Sequence, residues 1–215
     1  MLVLCLDASL ARTGAAVVRA GDGAVLAEAE APGGQGQAAA IAVLAERVLA
    51  EAGIAPAALD AVSATVGPGG FTGIRAALSL AHGIAAGAGV GLVAVSTAEA
   101  LAAPHAARAP VAVLIDSRRG HRFVQVFDAA DGLPLARAAA AAVPLSGLAA
   151  AIPASALTVG DAPEAAVQAL PRARDLAAVA VARLAGRLPP LAPWPLYLDP
   201  PAARPASGLR PAPAA

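Results

Sequence analysis

A chain of 215 residues whose 15 basic and 15 acidic side chains cancel has no global field to draw in nucleic acid, so any RNA contact must be local or shared with a partner. All the basic residues are arginine, which excludes a Walker-type phosphate lysine, Schiff-base chemistry and a lysine general base. Hydrophobic residues reach 58% with only 2% aromatic, because alanine dominates; helix propensity is high and each core contact is small. In chain order, residues 2–6 are a short apolar run and predict a buried strand that ends in Asp7-Ala8-Ser9. The single Cys5 lies inside it, so no intrachain disulfide forms, and the opening MLVLCLDAS has neither a basic region nor a long apolar one. A reducing cytoplasm is expected.

Residues 14–19 and 25–29 read as two strands around Gly21-Asp22-Gly23, a hairpin signal. Three glycines at 33, 34 and 36 make a loop. Ile41, Leu44, Val48 and Leu49 then recur at helical spacing, with Glu46, Arg47 and Glu51 on the other side and Gly53 as a stop. Residues 59–66 return as a strand into Gly67-Pro68-Gly69-Gly70. The chain must turn sharply there, because the glycines permit positive φ or close backbone approach while Pro68 fixes its own φ. Thr72 is expected to cap a helix over residues 73–88 whose free N–H groups suit an anion or a partner's acceptors. That helix carries Ile74, Ala77, Leu78, Ala81 and Ala85 on one face and Ala76, Leu80, Gly83 and Gly87 on the other, so burial on both sides is expected. Residues 76–95 are long enough for a membrane span, but His82, four glycines and the dominance of alanine over leucine argue against one. A strand at 92–95 and a short helix through Leu101, capped by Ser96 or Thr97, complete a β-β-β-α-β-α-β-α half.

Residues 104–110 read as a linker, and residues 111–115 restart the pattern with a second apolar strand ending in an aspartate, Asp116. Arg118-Arg119-Gly120 turns the chain into a hairpin partner at 123–127. A short strand at 158–160 and helices at 163–170 and 176–188 follow, the last with Arg183 and Arg187 outward. From residue 189 the prolines predict an extended, partly disordered tail, with Trp194 to Leu198 able to dock. The expected units are residues 1–103, 104–188 and a tail 189–215.

A strand ending in aspartate, a hairpin and then alternating helices and strands, roughly duplicated, is the pattern of the α/β actin-like, ribonuclease-H-like fold with two similar subdomains and mixed sheets. The segment VGPGGFTGIRAALSLAHGIAAGAGVGLVAVSTAEAL, the opening LCLDAS, IDSRRGHRF and the late PLYL closely resemble the bacterial TsaB family, also called YeaZ, which assists in making threonylcarbamoyladenosine on tRNA. The likeness covers nearly the whole chain. Gly70 stands where the family commonly has serine, His121 where an acidic residue is common, and Asp199 where arginine often follows Tyr-Leu. The family's catalytic relative, TsaD, carries a His-x-Glu-Gly-His metal segment whose histidine positions here hold Thr97 and Leu101. A leucine cannot bind a metal, and Glu99 alone reads as a helix-start charge.

Among the remaining polar residues, His82 and His105 read as packing or solvated residues and His121 as a hairpin residue without a visible partner. Asp7 and Ser9, with Gly67 and Gly69, stand where this fold holds a nucleotide's phosphates; the competing role is a turn in which Asp7 accepts backbone N–H bonds. Arg118 and Arg119 read as solvated loop charges, with a partner or RNA phosphate as the alternative. The resemblance implies a non-catalytic scaffold that needs no cofactor or metal and binds a TsaD-type catalytic subunit. Further implied partners are a TsaE-type ATPase, tRNA through the complex, and a second copy when the chain is alone. The expected interface is an exposed patch of Ile41, Leu44, Val48, Leu80, Gly83 and Gly87. An ATP-dependent phosphotransferase or metalloprotease acting alone is the competing function, disfavoured by the missing lysine, paired carboxylates and metal histidines.

Overall fold

The computed structural model describes residues 1–34, 36–107 and 110–199. Residues 200–215 of the expected tail and residues 108–109 of the expected linker lie outside the described residues. Strands β1 (Leu2–Asp7), β2 (Arg12–Arg19), β3 (Ala24–Pro32), β4 (Ala61–Thr65) and β5 (Gly91–Val95) form a sheet in the order β3-β2-β1-β4-β5. The first three are antiparallel neighbours, while β1, β4 and β5 run parallel. The central β1 is apolar from Leu2 to Leu6, before its terminal Asp7, because both faces of the sheet are covered.

Helices α1 (Gln37–Ala52) and α2 (Phe71–Ala88) cover one face through Ile41, Leu44 and Val48 and through Ile74, Ala77 and Ala81. Both end at a glycine with positive φ, Gly53 and Gly89, which satisfies the last carbonyls. Helix α2 begins at Phe71 with Gly70 as its N-cap rather than at Thr72. The short α3 (Thr97–Ala102) follows β5.

The second sheet repeats the first. Strands β6 (Val111–Asp116), β7 (His121–Ala130), β8 (Leu133–Ala136), β10 (Leu157–Gly160) and β11 (Val167–Gln168) run in the order β11-β10-β6-β7-β8, and β9 (Ala141–Pro144) pairs separately with β7. Three antiparallel strands again lie beside two parallel ones. This duplicated arrangement is the actin-like α/β fold. A four-residue helix, α4 (Leu148–Ala151), precedes β10, and α5 (Leu176–Leu184) closes the second half.

Several local expectations fail for identifiable reasons. Residues 163–170, expected as a helix, hold β11 instead, because the edge of β10 offers backbone pairing and Gln168 Nε2 donates to the carbonyls of Ala162 and Ala165. Helix α5 stops at Leu184, four residues early. Gly186 at φ 71° accompanies bonds from Arg187 N to Ala182 O and from Gly186 N to Arg183 O, the two-bond termination that a glycine beyond a helix end permits. Arg183 is not outward: its guanidinium donates to the carbonyls of Ala94 and Pro189 and pairs with Glu99 at 2.5 Å.

Helix α5 also packs across the molecule. Its Leu176, Val179 and Ala180 share a core with Val3, Cys5, Ala16 and Val93, filling the face of the first sheet opposite α1 and α2. Helix α5 of the second half thus packs on the sheet of the first.

Candidate docking face and interdomain cleft

The end of β1 is built as a closed turn. Asp7 is fully buried, and its Oδ1 accepts from Ser9 N at 3.1 Å, Ser9 Oγ at 2.7 Å and Thr65 Oγ1 at 2.7 Å. Burial pushes the Asp7 carboxyl above the ordinary range even against these donors. The Gly-Pro-Gly-Gly turn closes onto the same place: Gly70 N donates to Ser9 O at 2.7 Å. A Cβ at Gly69 would lie 2.2 Å from Ser9 O, and one at Gly73 would lie 1.9 Å from Ala8 O. The glycines thus permit backbone to lie on backbone, and the chain's own Ser9 carbonyl takes the acceptor position expected for an anion or a partner.

Of the four residues considered for a nucleotide, Ser9 and Gly69 line a cleft of about 300 Å³ between the halves, while Asp7 and Gly67 do not. The far wall of that cleft carries Asp116, Ser117, Arg118 and Asp161. Asp116 N donates to Asp161 Oδ1 at 2.8 Å, and burial raises the Asp161 carboxyl. Arg118, expected as a solvated charge, is 71% exposed and lies 3.4 Å from Asp116 and 3.6 Å from Asp161. Arg122 locks the base of the hairpin through Asp116 at 2.9 Å and Glu164 at 2.8 Å. Asp161, not singled out from the sequence, directly follows the short strand β10, much as Asp7 and Asp116 end β1 and β6.

Two departures from the family pattern face each other. His121 Nε2 lies 3.1 Å from Asp199 Oδ1, an approach without hydrogen-bond geometry, and Arg119 lies 3.5 Å from the same carboxylate, so His121 sits against a charged neighbour from a distant part of the chain. In α3, Ser96 caps the helix and Glu99 returns the bond to the Ser96 N–H, which gives Glu99 its helix-start role. Thr97 and Leu101 are buried in the same short helix. Among the described residues no group of three or more His, Cys, Asp or Glu side chains is placed to hold a metal ion.

The expected interface patch is corrected on one of its two helices. Ile41, Leu44 and Val48 are 1%, 7% and 0% exposed, because α1 has one apolar stripe and the sheet takes it. What α1 turns outward is Ala39, Ala42, Val43, Glu46 and Arg47. On α2, Leu80 is half-buried while Gly83 and Gly87 face outward, and a Cβ at either would meet nothing within 4 Å. Ser79 and Ala86 share this surface, so α2 is buried on one side only.

Along its other flank α2 meets the chain's C-terminal segment. Tyr197 stacks on Phe71 with ring centroids 5.3 Å apart, its hydroxyl accepts from Arg75 Nε at 2.8 Å, and Arg75 lies over the Phe71 ring at 3.7 Å. Trp194 stays 69% exposed beside His82.

A family model described as TsaD, tRNA N6-adenosine threonylcarbamoyltransferase, matches residues 35–142, half of the chain. The chain belongs to this family of tRNA threonylcarbamoyladenosine formation. Within it, the whole-chain likeness is to the TsaB (YeaZ) type: YeaZ from Pseudomonas aeruginosa superposes with a TM-score of 0.77 at 25% identity, covering 92% of this chain and 99% of that one. A second solved structure, an uncharacterized protein with similarity to peptidase YEAZ from Pseudomonas aeruginosa, matches with the same figures. A curated tRNA N6-adenosine threonylcarbamoyltransferase from Maricaulis maris strain MCS10 is 40% identical over 117 residues, 46% of this chain and 31% of the relative. The chain thus spans about a third of that relative's length. Among the described residues no helix is long and apolar enough to cross a membrane.

Proposed function

We propose that this TsaB-type chain is a non-catalytic subunit that docks onto a TsaD-type catalytic subunit and supports it in forming threonylcarbamoyladenosine on tRNA. The observation that carries this reading is the difference in coverage. The chain spans almost all of a YeaZ protein but less than a third of a transferase. Further support comes from α3, where the resemblance sets Thr97 and Leu101, both buried, at the places of the catalytic relative's metal histidines. A methyl-bearing hydroxyl and an isobutyl group supply no site for Lewis-acid chemistry.

The docking surface is the outward face of α2, from Ser79 through Leu80 and Gly83 to Gly87, continued by Ala39, Ala42 and Val43 of α1. Ile41, Leu44 and Val48 act beneath it, holding α1 against the sheet. Small side chains on a helix surface allow a facing helix to approach to the short end of the usual interaxial spacing of about 8–10 Å. The same face joins two copies of the chain when the catalytic subunit is missing. A TsaE-type ATPase and tRNA are met through the assembled complex, in the cytoplasm. The cleft residues Ser9 and Gly69 retain at most a vestige of nucleotide binding, since Asp7 is consumed by its own turn.

Mixing the purified chain with a TsaD-type subunit and measuring mass in solution tests the reading. A one-to-one assembly that displaces a homodimer is expected. Two non-interacting species would remove the basis for a scaffold.

A further inference from the structure

The segment from residue 191 to residue 199 follows the last helix and crosses from one half of the molecule to the other. On the first half, Leu191 and Leu196 join the core beneath α1 and α2, and Leu196 N donates to Val66 O at 2.7 Å. Leu196 O sits 3.0 Å from where a Cβ at Gly67 would be, and Pro193 O lies 3.3 Å from His82 Nε2. On the second half, Leu198 packs on the core built from α3, β6 and β7, and Asp199 pairs with His121 and Arg119 on the β6–β7 hairpin.

Both anchorages are one step from the cleft walls. Gly67 leads directly into Gly69 and Gly70, which line one side, and the His121 ring meets Phe123 edge-on at 5.4 Å, with Phe123 lining the other. The contacts are few, partly exposed and local. Such a segment opens at a free-energy cost well below that of global unfolding.

We propose that residues 191–199 are a clasp that sets the opening of the interdomain cleft: while Leu196 holds the Val66–Gly67 turn and Asp199 holds His121, the two walls are tied together. This inference is independent of which partner occupies the α2 face. Release of the second anchorage frees the β6–β7 hairpin from the Gly67 turn without disturbing either sheet.

Charge reversal in the full chain tests it. His121→Asp puts two carboxylates face to face, Asp199→Arg puts an arginine against His121 and Arg119, and the double variant restores an opposite-sign pair. Backbone hydrogen exchange in the cleft-edge segments 9–11 and 116–118 is expected to accelerate roughly two- to fivefold in each single variant, the scale of a partly exposed ion pair. It is expected to return toward wild type in the double variant, with β1 and β6 unchanged throughout. Tyr197→Ala, at an exposed ring, is expected to give the same acceleration without threatening folding. Unchanged cleft exchange in the single variants and in Tyr197→Ala would overturn the proposal. So would acceleration by the same factor in β1 and β6, or a double variant that exchanges no more slowly than the single ones.

Discussion

Replacing Gly83 by leucine separates the stability of this subunit from its assembly. A Cβ at Gly83 meets nothing within 4 Å and the residue is exposed on α2, so the added side chain has room in the isolated subunit. Leucine in place of glycine within a helix is worth about 0.8 kcal/mol in its favour, so the variant should unfold at a slightly higher temperature than wild type when both are diluted to monomers, where loss of the homodimer contact cannot mask the gain. Across a helix-to-helix contact the same side chain must be accommodated by a partner packed against a bare backbone. Overpacking of that kind costs about 1–3 kcal/mol, which is roughly a five- to hundredfold loss of affinity at 1.4 kcal/mol per decade. Calorimetric titration with the catalytic subunit, alongside thermal unfolding of the variant alone, reads both effects. Unchanged affinity with a stabilised subunit would place the interface elsewhere, and a destabilised subunit would mean that the α2 face is not open.

Gly73→Ala should behave in the opposite way, because its Cβ would fall 1.9 Å from the Ala8 carbonyl oxygen; a loss of about 3 kcal/mol or more, read by denaturant unfolding, is expected from overpacking against backbone. Arg183→Ala leaves Glu99 buried without its cation and the Ala94 carbonyl without its donor, so about 3–5 kcal/mol should be lost, and a smaller loss in Glu99→Gln would fit the same account. Burial pushes the Asp175 carboxyl from 3.8 up to about 6, so its contribution to stability is fully present below about pH 4 and is lost as pH rises through about 6. That difference corresponds to roughly 3 kcal/mol, cut to about 1–2 by the partial exposure of the group. Asp175→Asn should accordingly raise stability over wild type above about pH 6 and leave it unchanged near pH 4 in thermal scans across that range; an equal gain at both ends would show that burial of the charge is not the cause.

The duplicated order of elements was legible because each half opens with an apolar strand ending in aspartate, and hydrophobic runs of strand length survive any tertiary context. The closed turn around Asp7 was legible in its alternative form, since Asp-Ala-Ser is turn chemistry. What escaped depended on partners distant in sequence. Arg183 looks outward from its helical spacing, but Glu99 and the Ala94 carbonyl, brought beneath it by the crossing of α5, turn it inward. Ile41, Leu44 and Val48 cannot be assigned to a sheet or to a partner from spacing alone, because either surface selects the same apolar stripe. Residues 163–170 carry helical composition, and only the open edge of β10 decides for a strand. The pairing of His121 with Asp199 joins positions 78 residues apart, and nothing local to either residue announces it.

As a non-catalytic subunit, this chain is expected to support the transfer reaction without performing it. Incubating tRNA with the threonylcarbamoyl donor and quantifying threonylcarbamoyladenosine by mass spectrometry tests this most directly, with this chain alone, the TsaD-type subunit alone, and both together. No product is expected from this chain alone, and a higher yield from the pair than from the catalytic subunit by itself; modified tRNA formed by the isolated chain would refute a purely supporting role.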